Sequence, residues 1–320
     1  MFKRAIFWLN NSRLFSAPMT IMSWLVVFIY SIKHNGNIIN GIIALVGILF
    51  AHLATNLFDD YVDYKKLSGN HVFRNNTSKN KCKYLQNGEA TLSELLLVVI
   101  IYCSIAFTTG VYLTFHSGWG VILLAVIGGL ITLSYAHLST NGFSELAVGT
   151  AFGPLLFEGV YYVMCYQFSL DVFVISMAVV PFTIGLVYMN NLMDFNTDMQ
   201  SGKKSLCCRI GNINLAAKGL LFIHFFGYFM FILYAVMTHK YLFVLPIITL
   251  PLAVIIYKLV IAYYSEDNNI YDNFIIKFIL NRYKNLMQSQ TGDFYIRLLL
   301  ARNLMIFVSF IFIAVMFIYS

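Results

Sequence analysis

Long uncharged apolar stretches alternate with short polar connectors along the whole chain. A helix needs about 20 apolar residues to cross the hydrocarbon core of a bilayer. Stretches of that kind fall near 17–35, 37–58, 92–115, 118–138, 144–166, 170–192, 215–238, 241–264 and 297–319. The pattern predicts nine transmembrane helices, the fourth a short and closely flanked one. Ahead of them, "MFKRAIFWLNNSRLFSAP" is basic and amphipathic, and no small-residue cleavage site follows its short apolar run. Residues 1–16 therefore read as an interfacial helix rather than a signal peptide. Residues 59–91, 193–214 and 265–296 read as connectors on one side of the membrane. The last has an amphipathic centre suited to the membrane surface. The chain is expected to be one membrane-embedded domain, 1–320, of the all-α polytopic class.

Composition supports this reading. Of 320 residues, 59% are hydrophobic and only 11% charged, too few polar groups to cover a water-soluble globule of this size. The net charge of +7 reads as topological charge in contact with anionic membrane lipid. No zinc-ligand spacing or basic helix with aromatic stacking partners points to nucleic acid. Lys3, Arg4 and Arg13 precede the first span. Lys65, Lys66, Arg74, Lys79, Lys81, Lys83, Lys203, Lys204, Arg209, Lys277, Arg282 and Lys284 lie in connectors that follow even-numbered spans. The opposite connectors hold only Lys33 and Lys240. Positive residues stay inside, so the N-terminus and the even connectors are expected on the cytoplasmic face of the cell's inner (plasma) membrane. Cysteines 82, 103, 165, 207 and 208 form no paired framework and read as reduced thiols.

Two acidic stretches change the picture. "NLFDDYVDYKK" (56–66) ends the second span, and "NNLMDFNTD" (190–198) ends the sixth. Asn56, Asp59 and Asp63 form N-x-x-D-x-x-x-D. Asn191, Asp194 and Asp198 repeat it 135 residues later (191 minus 56). Offsets of three and seven put each trio on one helix face. Carboxylates packed at a membrane boundary are costly unless a cation neutralises them. Oxygen-only ligand sets suit hard cations, and Mg²⁺ typically bridges one or two carboxylates to phosphate oxygens. Two such clusters facing one cavity could hold Mg²⁺ ions around a diphosphate. Basic residues follow both stretches. A cation-coupled transporter is the non-enzyme alternative, but its polar groups would more often lie near the bilayer midplane.

At these residues the chain resembles the UbiA superfamily of intramembrane prenyltransferases, and within it the 1,4-dihydroxy-2-naphthoate polyprenyltransferase branch (MenA) of menaquinone biosynthesis. "NLFDDYVDYKK" is similar to the family's N-L-x-N-D-Y-x-D-Y, with Asp59 where asparagine is usual. "NNLMDFNTDMQSGKKSLCCRIG" resembles N-N-x-R-D-x-x-x-D-x-x-x-G-K-x-T-L-x-x-x-x-G, with Met193 for the usual arginine. "GFSELAVGTAFGPLLFEGVYYV" (142–163) resembles the pattern that marks the MenA branch.

The resemblance implies nine helices around a central cavity and a polyprenyl diphosphate donor. It implies an aromatic acceptor such as 1,4-dihydroxy-2-naphthoate, with 4-hydroxybenzoate or a related quinone precursor as alternatives. Asp60, Asp63, Asp194 and Asp198 would hold Mg²⁺ and carry catalysis, with Asn56, Asn191 and the atypical Asp59 completing or supporting the shell. Lys203 and a basic residue of the first connector (Arg74, Lys81 or Lys83) would contact the diphosphate. Tyr61, Phe152, Tyr161 and Tyr162 are candidates for a pocket with π faces around an allylic cation, and Glu145 could orient an acceptor hydroxyl. Glu158, an acid within a span, suggests a function of its own, and His52 reads as a packed neighbour of Asn56.

Overall fold

The computed structural model describes residues 2–67, 82–202, 204–265, 273–280 and 292–319. These residues form helices and turns, with no strand among them. Nine of the helical stretches are long and apolar enough to span a bilayer, as the apolar pattern predicts. The chain divides into two compact units.

The first unit comprises Met1–Ser139 and Leu155–Ser169. Its helices are α1 (Phe2–Asn11), α2 (Ala17–Lys33), α3 (Ile38–Leu67), the one-turn α4 (Lys83–Gln86), α5 (Leu92–Ser117), α6 (Gly120–Thr140) and, after a break in sequence, α8 (Leu156–Cys165). Helix α3 runs eleven residues beyond its first asparagine motif position, from Asn56 to Leu67. The acidic stretch is thus helix and not the opening of a connector, because an uninterrupted i to i−4 pattern has no glycine or proline to end it. A core of Trp8, Leu53, Leu57, Cys82, Tyr84, Leu85 and Leu95 packs behind the acidic end of α3. Thr91 caps α5 through a reciprocal bond with Glu94, which satisfies two donors at the helix start. At the other end of the unit, buried Asn40 donates to the carbonyl of Val163 (2.9 Å) and to Ser117 (3.1 Å). These bonds tie α8 to the start of α3.

The second unit comprises Thr140–Pro154 and Leu170–Ser320. It holds α7 (Ser144–Thr150), α9 (Leu170–Met193), α10 (Phe195–Ser201), α11 (Leu206–Ile210), α12 (Ile213–Thr238), α13 (Leu250–Ser265), α14 (Phe274–Ile279) and α15 (Gly292–Ile318). A 3₁₀ segment, Tyr241–Thr249, leads into α13. Helix α9 is the central one, with sixteen of its residues from Val172 to Met193 buried. Near its end the Tyr264 hydroxyl donates to the Leu192 carbonyl (2.5 Å), so the ends of α9 and α13 coincide. Arg297 at the start of α15 donates to the carbonyl of Leu259 in α13 (3.0 Å), and the Tyr319 hydroxyl accepts from Leu242 N (3.0 Å). Helix α15 is therefore antiparallel to α13 and to α9.

The fifth apolar stretch is not one continuous helix. Between α7 and α8 lies a π-helical turn, Ala151–Leu155, in which Gly153 leaves helical geometry (φ −97°, ψ −113°). Pro154 cannot donate to the carbonyl one turn back, and its ring crowds that turn. The adjacent glycine absorbs the deviation. Likewise, the predicted connector 193–214 contains α10 and α11. Of the predicted connector 265–296, the described part holds α14 and the start of α15.

Candidate active site

In the first unit, a cation that sequence reasoning had assigned only to topology enters the acidic cluster. Arg13, in a left-handed conformation (φ 61°) between α1 and α2, pairs with Asp59 (3.4 Å) and with Asp60. Both carboxylates are buried, 4% and 1% exposed. Burial works against the charge on Arg13, but Asp60 and Asp59 outweigh it and hold the guanidinium above its ordinary range. The second oxygen of Asp60 accepts from the Tyr84 hydroxyl (3.3 Å), and the Cys82 thiol donates to its backbone carbonyl (3.4 Å). Burial first, and then the Asp60 carboxylate, push the Tyr84 phenol upward. It stays a donor.

Asn56 donates to the Ser12 carbonyl (3.0 Å) and to Ser16 Oγ (3.3 Å). His52 lies one turn earlier, between Thr20 (2.7 Å) and Ser16 (3.2 Å). Asn56 and Asp59 thus address the same segment, 12–16, as their spacing requires. Asp63 is half-buried one turn further on. Tyr61 stacks on Phe58 (ring centroids 6.2 Å apart) and receives Lys65 Nζ over its face at 5.8 Å. One of its faces therefore already serves a cation.

In the second unit, the equivalent asparagine is held by its own protein partners. Asn191 Nδ2 donates to Glu145 Oε1 (2.7 Å) and to Ser144 Oγ (3.1 Å), and Ser144 donates to Glu145 Oε2 (2.8 Å). Glu145, buried at 7% exposed, is thereby bound to the second motif. Asp194 stands at the junction of α9 and α10. Its amide bonds to the Asn190 carbonyl (3.0 Å), and the Asp198 amide bonds to the Asp194 carbonyl (2.7 Å). The i to i−4 ladder crosses the junction, so both carboxylates project from one nearly continuous helix end. Asp198 is buried and Asp194 half-buried.

Gly202 ends α10 with φ 74°. The following loop is pinned by Lys204 N donating to the Thr140 carbonyl (3.1 Å). Gly142 (φ 78°) lets this loop approach: a Cβ there would sit 2.7 Å from the Lys204 carbonyl and 2.8 Å from Arg209 Nε. Cys207 is fully buried beneath the loop. Burial pushes its thiol up, a hydrogen bond with Tyr188 works against this, and Glu145 adds to the rise.

Several expected participants lie elsewhere. Tyr161 packs on Tyr30 (5.9 Å) and His34 (6.2 Å). The Tyr162 hydroxyl accepts from Gly120 N (3.2 Å). These partners close the end of the first unit opposite Asp60, some twenty residues of α3 away, or about 30 Å. Neither tyrosine is brought to the first acidic cluster. Phe152 occupies the π-helical turn, half-buried. Glu158 accepts from Ser169 N (3.1 Å), so the acid within the span anchors a turn. Lys83 is exposed on α4. Arg74, Lys81 and Lys203 lie outside the described residues. Sequence reasoning missed Arg13, Tyr84 and Ser144 as neighbours of the motifs. The signal for Arg13 was Asp59 itself, an extra buried anion in need of a cation.

Among the described residues, no three His, Cys, Asp or Glu side chains converge as a metal site. Each unit instead offers hard oxygen donors in small number. That fits Mg²⁺, which commonly takes one or two carboxylates and completes its shell with phosphate oxygens and water.

Nine helical stretches of spanning length among the described residues define a multi-pass membrane protein. The model of the UbiA prenyltransferase family matches residues 14–281, and the chain belongs to that family. It is 24% identical over 179 residues to a 1,4-dihydroxy-2-naphthoate octaprenyltransferase of Bacillus subtilis (strain 168), a match over 52% of this chain. The chain spans about half the length of that curated relative, 54%. Among solved structures, it resembles a UbiA homolog from Archaeoglobus fulgidus bound to GPP and Mg²⁺ (TM-score 0.59, 14% identity, 95% of this chain and 99% of the other). The same homolog bound to DMAPP and Mg²⁺ gives 0.59, with 15% identity over 95% and 98%. A digeranylgeranylglyceryl phosphate synthase structure gives 0.57, with 14% identity over 98% of each chain. These likenesses establish the UbiA fold.

Proposed function

We propose that the protein transfers a polyprenyl group from a polyprenyl diphosphate to an aromatic acceptor, 1,4-dihydroxy-2-naphthoate, in menaquinone biosynthesis. Family membership supports prenyl transfer. The name of the Bacillus subtilis relative supports the acceptor. The observation that carries the reading is the pair of matched acidic–amide motifs. Each is held by its own partners: Arg13 and Tyr84 at the first, Ser144 and Glu145 at the second.

In this proposal Asp60, Asp63, Asp194 and Asp198 would supply the oxygens that hold Mg²⁺ for the diphosphate. The metal, when bound, neutralises charge growing on the leaving diphosphate. Asp60 would serve both the ion and Arg13, which pairs with Asp59 as well. Lys83 and Arg209, with Arg74, Lys81 and Lys203, give phosphate oxygens cationic partners. Tyr61 turns a π face to the allylic cation. Glu145, fixed by Asn191 and Ser144, orients an acceptor hydroxyl and can accept its proton. The protein works in the inner (plasma) membrane with this end toward the cytoplasm.

The test is turnover by purified protein with Mg²⁺, a polyprenyl diphosphate and 1,4-dihydroxy-2-naphthoate, alongside other aromatic acceptors. Asp60→Ala and Asp194→Ala should each abolish product. Turnover that survives either change, or that persists in EDTA, refutes the assignment of the motifs. A preference for 4-hydroxybenzoate refutes the acceptor alone.

A further inference from the structure

Two arginines sit in the first turns of α15, inside its membrane-spanning stretch Phe294–Ile318. They are used differently. Arg297 is 1% exposed, donates through Nε to the Leu259 carbonyl (3.0 Å), and lies 4.6 Å over the Tyr263 ring. Arg302 is half-buried, and its Nε is buried with no hydrogen-bond partner among the described residues. No ion pair of Arg302 is found among the described residues. An arginine inside a span without a protein counter-group is costly and marks a ligand or a pathway.

A second unsatisfied atom lies at the same depth. The Oδ1 of Asn190 in α9 is buried and accepts no hydrogen bond among the described residues. Thr183 Oγ1 touches Met305 Sδ (3.4 Å), which sets the register of the antiparallel α9 and α15. From that level, Asn190 is seven residues toward the acidic end on the same face as Thr183, about 10 Å along the axis. Arg302 is three residues toward the same end on a neighbouring stripe of α15, about 4.5 Å. Its long side chain leans further that way, because helical side chains tilt toward their own N-terminus. The guanidinium and the Asn190 amide therefore lie at about the same level, one turn deeper in the membrane than Asp194.

We propose that Arg302 binds the carboxylate of the aromatic acceptor, with Asn190 Oδ1 accepting from the adjacent ring hydroxyl. This rests on the reading of the acceptor as a hydroxylated aromatic acid. The donors and acceptors match: a guanidinium fork takes a planar carboxylate bidentately, and an amide oxygen takes a hydroxyl. The depth also matches. The basic residues offered to the diphosphate lie in connectors at the membrane face, whereas Arg302 lies on the apolar side of the acidic end of α9. Arg302 would thus decide acceptor specificity without holding the diphosphate.

The experiment measures KM for 1,4-dihydroxy-2-naphthoate, for 1,4-dihydroxynaphthalene and for the prenyl diphosphate, in wild type, Arg302→Met and Arg302→Lys, with thermal unfolding as the folding control. Loss of a charge-assisted bond predicts a rise of roughly ten- to hundredfold in KM for the carboxylate acceptor in Arg302→Met. The other two values should stay within about twofold, and Arg302→Lys should lose less. An equal change for both acceptors, no change, or a rise confined to the prenyl diphosphate overturns the proposal; the last result would make the bound anion a phosphate. If Arg302→Met does not fold, the smaller selectivity loss in Arg302→Lys carries the same test. Equilibrium binding of 1-hydroxy-2-naphthoate against 1-naphthol separates this inference from the reaction itself. A carboxylate preference in wild type that is weakened in the variants supports Arg302 even if no turnover is found. Absence of that preference in wild type overturns it.

Discussion

Replacing Arg13 with methionine removes the cation shared by two buried carboxylates. The side chains of Asp59 and Asp60 are 5% and 2% exposed, and that of Arg13 is 26% exposed. Breaking a buried pair by deleting one partner costs about 3–5 kcal/mol, because a charge is left without compensation. The partial exposure of Arg13 puts this site at the lower end, about 3 kcal/mol. Tyr84 remains as a donor to Asp60. Asp59→Asn in the same chain removes that charge and should restore about half the loss, a coupling of the size seen between contacting residues. The measurement is thermal unfolding of wild type, both single variants and the double variant in detergent with EDTA. Arg13→Met should melt several degrees low, and the double variant should melt between it and wild type. An unshifted Arg13→Met, or a double variant less stable than Arg13→Met, would refute the claim that the guanidinium compensates this cluster. Adding Mg²⁺ with pyrophosphate should raise the melting temperature of each variant that still binds it, since a ligand that binds only the folded state stabilises it by mass action.

Gly142→Ala places a Cβ against the Lys204 carbonyl and Arg209 at a left-handed φ. It should cost about 1–2 kcal/mol from backbone strain and raise the KM for the prenyl diphosphate more than it lowers kcat, read by steady-state kinetics. Asn191→Leu leaves buried Glu145 without its 2.7 Å donor. It should destabilise the protein by about 1.5–3 kcal/mol, whereas Asn191→Leu combined with Glu145→Gln should recover part of that in the same melt. Cys207 has its folded pKa raised by burial, so the unfolded chain releases this proton first. Stability from this thiol is full below the ordinary value of about 8.5. It declines by up to about 1.4 kcal/mol per pH unit above it, until the folded value is reached. Urea titrations from pH 7 to 10 should show a shallower alkaline decline in Cys207→Ala than in wild type.

The nine spans were legible in the sequence because bilayer thickness converts directly into a count of apolar residues. The shared face of Asn56 and Asp59 was legible because helical period alone places offsets of three together. The break at Gly153–Pro154 was signalled by its residues, but continuous hydropathy concealed it.

What only tertiary structure decided is who neutralises or binds whom. Arg13 precedes Asp59 by 46 residues, and Asn191 follows Glu145 by 46. Local period governs which side chains share a helix face. The partner of a buried charge is chosen by the packing of separate helices, and no local pattern encodes that packing. Two arginines five residues apart in one helix, one bonded to a carbonyl and stacked on a tyrosine, the other left with a buried unbonded nitrogen, read alike as letters and differ only in what the neighbouring helices bring beside them.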